Sequence, residues 1–106
     1  MQKGVLFSEE STTLRARIIG EIDHHYAKGE REKIDAMLFK CKPRQLIMDF
    51  GEVRFMDSSG IGMIIGRAEI CRALGCEVKL CGLNSTLKKL IGLSGIEKIP
   101  NVSIEK

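Results

Sequence analysis

Residues 57–60 read Asp-Ser-Ser-Gly and stand directly ahead of the largely apolar run 61–65. An acid, two hydroxyls and a glycine in that order admit three chemistries. Asp57, Ser58 or Ser59 can cap a helix by accepting backbone N–H bonds, a contribution of about 1 kcal/mol. One serine can act as a nucleophile. Alternatively, one can accept a phosphoryl group at a helix start, where unpaired N–H groups and the helix dipole tolerate the added charge. Capping accounts for one hydroxyl or carboxylate and leaves the neighbouring polar residues and Gly60 without a role.

The nucleophile reading fails on spacing. The elbow G-x-S-x-G needs glycine two residues either side of the serine, but Met56 precedes Ser58, while Asp57 and Ile61 flank Ser59. His24 is the one candidate base near the end of an early strand, and a capping or surface histidine is the commoner use of such a residue. The glycines of the 60–66 segment lack the dinucleotide spacing, and no G-x-x-x-x-G-K-[ST] loop occurs. No catalytic residue is therefore expected, and the chain is not read as an enzyme. A response-regulator receiver phosphorylated on Asp49 is the competing class, yet the early acidic pair and late lysine that such a site needs are not well placed. Cys41, Cys71, Cys76 and Cys81 include no C-x-x-C pair and lie far from His24 and His25 in sequence, so reduced core thiols are expected rather than a metal site.

The elements that would position these groups follow from periodicity. A strand is expected over 5–7 and a second over 14–19, where Leu14, Ala16 and Ile18 alternate with Arg15 and Arg17. Ile34, Met37, Leu38 and Cys41 share one face of a helix over about 26–40, closed by Pro43. The run 45–50 is apolar enough for a central strand covered on both faces. The helix that starts at Asp57–Ser59 runs to Leu74 and stops at Gly75. It carries two apolar stripes, one of Ile61, Ile64, Ile65, Ala68 and Cys71, the other of Met63, Ile70 and Leu74 beside Arg67. A surface helix needs one, so the second must meet either another helix of the same chain or a partner, with packing inside the chain the favoured expectation. A strand over 78–81, a short helix capped by Asn84, Ser85 or Thr86 and ending before Gly92, and a last strand over 102–104 complete the order. Two strands followed by alternating helices and strands imply an α/β fold. Its sheet is mixed and mostly parallel, has four to five strands, and opens with an antiparallel hairpin. The serines then lie where open α/β sheets place functional groups.

At 106 residues, 43% hydrophobic and 29% charged, the chain fits one globular domain spanning 1–106. The net charge of +3 is scattered, and with one tyrosine and four phenylalanines no aromatics interleave the basic residues, so nucleic acid is not an expected partner. No apolar run reaches a membrane-spanning length of roughly 20 residues, and the start carries charge too early for a signal peptide, so a cytoplasmic protein without membrane attachment is expected.

The segment 55–62, FMDSSGIG, resembles the signature of STAS domains of the anti-sigma factor antagonist type. GEIDHH at 20–25 resembles the family's second hallmark, at the expected distance upstream, and Gly66-Arg67 extends the likeness towards the sporulation members. The resemblance implies a small regulator whose unphosphorylated form binds an anti-sigma factor that is also a serine kinase, releasing the sigma factor. Phosphorylation by that kinase, with ATP bound by the kinase, ends the binding, and a metal-dependent serine phosphatase resets it. It implies Ser58 as phosphoacceptor, and Glu21, Asp23, Asp57, Ser58, Ser59, Gly60 and Arg67 as partner-binding residues, with no cofactor of the chain's own. A generic STAS interaction module is the weaker alternative within the family.

Overall fold

Alternation decides the sheet. In the computed structural model, which describes residues 4–105, Leu14, Ala16 and Ile18 of β2 (Thr13–Ile19) are buried while Arg15 and Arg17 turn to the other face. This is the period-two pattern of a strand with one covered face. β1 (Gly4–Glu10) pairs antiparallel with β2. Then β3 (Gln45–Glu52), β4 (Glu77–Cys81) and β5 (Val102–Ile104) add in parallel, giving the strand order β1-β2-β3-β4-β5. The expected opening hairpin and mostly parallel sheet are both present.

Three helices, α1 (His24–Cys41), α2 (Ser58–Ala73) and α3 (Ser85–Ser94), join their buried residues to one core with Leu46, Met48, Phe50, Val78 and Leu80 of the sheet. The opposite face is open, which corrects the expectation that β3 is covered on both sides. Ile47 on that face is only half-buried, and the burial of Asp49 comes from Arg15 and Arg17 lying across it. An apolar Ile47 on the solvent side made the run look continuous. The second apolar stripe of α2 is met inside the chain: Met63 is fully buried, Ile70 and Leu74 pack against the core, and Arg67 pairs with Asp35 of α1.

Two boundaries differ from the sequence reading for local reasons. α1 begins at His24, not Tyr26, because Asp23 is its N-cap. α3 runs through Gly92 to Ser94 and stops at Gly95, which takes the left-handed conformation at φ +79°. Gly92 costs a helix about 1 kcal/mol, and the buried Leu87 and Ile91 on the other side outweigh it. A single 3-10 turn, Ile96–Lys98, leads to β5 and was not foreseen.

Candidate functional site

The carboxyl ends of β2 and β3 deliver two loops that run side by side. Ile22 and Met56 form an isolated parallel bridge, with the Ile22 N–H donating to Phe55 O at 3.2 Å and the Asp57 N–H to Ile22 O at 3.2 Å. The residue following each bridge position is an aspartate, and each aspartate starts a helix. Asp23 caps α1 by accepting from the N–H groups of His25 (3.0 Å) and Tyr26 (3.1 Å). Asp57 caps α2 by accepting from the Ser59 N–H at 2.8 Å and from the Ser59 hydroxyl. Those two Ser59 contacts, helped by the His24 N–H, hold the Asp57 carboxyl below the usual carboxylate range.

The two serines thereby separate in role. Ser59 is spent on the cap. Ser58, the first residue of α2, is exposed, and its hydroxyl has no hydrogen-bond partner among the described residues. The geometry places a free hydroxyl at a helix N-terminus, flanked by Asp57 and close to the Asp23 loop, with Glu21 exposed on the same loop.

The loop bearing Ser58 is braced from several sides. Asp49 Oδ1 accepts from the Gly51 N–H at 2.8 Å, while Oδ2 takes Arg15 at 2.9 Å and Arg17 at 3.3 Å. Burial would raise this carboxyl, but the Gly51 N–H and the two arginines outweigh it and bring it below its ordinary value. Both oxygens are committed, so the receiver reading of Asp49 is set aside: this aspartate is a clamp at the end of β3. Asn84, the N-cap of α3, accepts from the Leu87 N–H at 2.8 Å and donates to Arg54 O at 3.1 Å, fastening the loop from the third helix.

Two residues expected at the partner surface have internal roles. Arg67 lies nine residues into α2, about 13 Å along the axis from Ser58. Its guanidinium is buried against Asp35 at 2.6 Å, and burial draws its pKa down. Helical spacing turns it towards α1, so its partner is within the chain. Gly60 is buried, and a Cβ there would sit 2.6 Å from Met56 Sδ and 3.0 Å from Met56 Cβ, so its smallness lets the helix start pack on Met56. The sequence reading missed Phe55, 52% exposed beside the site, and Tyr26, also exposed on the first turn of α1. A large apolar residue in a polar loop, adjoining the Asp-Ser-Ser-Gly segment, was the available signal for Phe55.

Comparison with known proteins agrees with this geometry. The family model described as STAS domain matches residues 8–105. The anti-sigma F factor antagonist of Paenibacillus polymyxa is 33% identical over 86 residues, covering 81% of this chain and 74% of that protein. The solved structure of the anti-sigma factor antagonist SpoIIAA in its unphosphorylated form superposes with a TM-score of 0.74 at 25% identity, covering 96% of this chain and 87% of that one. The phosphorylated form of SpoIIAA, from Bacillus, gives a TM-score of 0.72 at 28% identity over 96% and 91%. A sheet of this order, an exposed serine opening its second helix, and relatives of this likeness lead to one assignment: the chain belongs to the STAS domain family, among the anti-sigma factor antagonists.

Proposed function

We propose that this protein is a phosphorylation-controlled anti-sigma factor antagonist acting in the cytoplasm as a binding protein without catalytic activity of its own. Its unphosphorylated form docks on an anti-sigma factor that is also a serine kinase, and a sigma factor is released. The kinase brings ATP and transfers a phosphoryl group to Ser58, which ends docking, and a metal-dependent serine phosphatase restores the hydroxyl. The observation that carries this reading is the contrast between the two serines: Ser59 is bonded into the Asp57 cap, whereas Ser58 is exposed and uncommitted. Glu21, Asp23 and Asp57 make this end of the sheet acidic, which suits basic groups on the kinase, and Phe55 supplies exposed apolar area beside them.

The test is incubation of the purified protein with a candidate anti-sigma factor kinase and ATP, followed by mapping of an acid-stable phosphate. Ser58→Ala should abolish labelling, keep kinase binding and give constitutive sigma-dependent transcription. Strong labelling that persists on Ser59 in that variant would move the acceptor.

A further inference from the structure

The far end of α2 sets two thiols against each other. The Cys76 N–H donates to Cys71 O at 2.7 Å, the Gly75 N–H donates to Arg72 O at 3.3 Å, and Gly75 is left-handed at φ +73°. Paired bonds of this kind around a left-handed residue make a Schellman turn, in which the side chain of the helix's third-last residue meets that of the second residue beyond the cap. In most such turns that contact is apolar. Here the two positions are Cys71 and Cys76, which are 0% and 2% exposed and free, with the Cys76 S–H donating to Glu77 O at 3.4 Å. A disulfide needs its two Cα atoms held within a few ångströms of each other and its side chains converging, and a chain folded back by one six-residue bond meets both demands.

We propose that Cys71 and Cys76 are a dithiol–disulfide pair that fastens the last turn of α2 to the start of β4. With oxidised glutathione as oxidant and the end of α2 locally opened, the Cys76 thiolate attacks one glutathione sulfur and expels the other glutathione as a thiolate. The Cys71 thiolate then attacks the Cys76 sulfur of the mixed disulfide and expels the second. Two S–H bonds are lost and one S–S bond is gained, while the oxidant is reduced to two thiols that take up the two protons. The nearby Cys71 thiol, with the Leu46 N–H, draws the Cys76 thiol below its usual range against the effect of burial, which favours Cys76 as the first attacker.

The chain contains its own control. Cys76 and Cys81 are also five residues apart, so an unfolded chain closes the two loops with equal ease. In the folded chain Cys81 lies across from Asp49 on the open face, 3.7 Å from the Arg15 guanidinium, and is aimed away from the core that holds Cys76. The experiment equilibrates the full chain in a glutathione redox buffer, once after refolding and once in denaturant, followed by alkylation, trypsin and mass spectrometry. Cleavage after Arg72 and Lys79 separates all three cysteines. The expected product of the folded chain joins the peptides 68–72 and 73–79, exceeding the Cys76–Cys81 product about tenfold or more, whereas in denaturant the two are comparable. Cys81→Ser should leave the bridge intact. The proposal is overturned if the two products stay comparable after refolding, or if folded chain keeps both thiols in a buffer that cross-links them in denaturant.

Discussion

The two carboxylates nearest the site differ in what holds them, and that difference sets what each substitution should do. Asp49 is buried under Arg15 and Arg17, and its pKa is depressed in the fold. The stability this contributes is therefore fully present above the unfolded carboxyl value of about 3.9 and is lost as pH falls through the lower folded value. Asp49→Asn should destabilise the protein by about 1–3 kcal/mol at neutral pH. The gap between variant and wild type should close below about pH 4. Urea melts across that range check it, and a gap independent of pH would mean that the arginines contribute packing rather than charge. Asp23 is a different case, because asparagine caps a helix as well as aspartate does. Asp23→Asn should keep the fold and α1 intact, and weaken kinase docking if the carboxylate faces a basic group. Unchanged affinity with unchanged phosphorylation would leave Asp23 as a capping residue only.

At the level of elements, α1 and α2 are locked by a buried charge pair, Arg67 with Asp35 at 2.6 Å, at a residue for which the family resemblance implied a contact with a partner. The guanidinium is more deeply buried than the carboxylate, with side-chain exposures of 7% and 28%. Removing the acid leaves a buried cation, so Asp35→Ala should cost about 3 kcal/mol, and the double variant Asp35→Ala with Arg67→Met should recover much of that loss. A double-mutant cycle by denaturant unfolding measures the coupling, and docking affinity in variants that remain folded should not change, since Arg67 is far from Ser58. This pair also shows what the sequence could carry. The capping residues Asp57 and Asn84, the alternation of β2 and the second stripe of α2 are local patterns, and each located an element or a face. The clamp of Arg15 and Arg17 on Asp49 and the pairing of Arg67 with Asp35 join residues more than thirty positions apart. Periodicity cannot say which charge a buried charge will meet. The separation of Ser58 from Ser59 was of the same kind: both suited a cap by type, and only the placement of the Asp57 carboxylate decides which hydroxyl is left over.

Across the whole molecule, the groups around Ser58 are fixed by the sheet, by three helix starts and by the bridge between the loops, so a phosphate would arrive on a surface that is already rigid. Phosphorylation should accordingly act through local electrostatics and leave the fold unchanged. A phosphate carries about −1.5 to −2 charges at neutral pH, and at the α2 N-terminus it meets a favourable dipole, although Asp57 already holds the N–H groups of Ser59 and Gly60. The free domain should lose little stability. In the proposed complex the same charge would stand beside Asp57 and against the nucleotide phosphates of the kinase, where like-charge juxtaposition costs several kcal/mol. With about 1.4 kcal/mol for each tenfold, docking should weaken roughly a hundredfold or more. Ser58→Asp, with one charge and fewer acceptor oxygens, should weaken it less. Two measurements decide this: a thermal melt of the free phosphoprotein, and a titration of it against nucleotide-loaded kinase. A melting temperature lowered by many degrees, with amide resonances shifted far from Ser58 along β1 or β5, would show that the phosphate refolds the domain and that local charge is the wrong account.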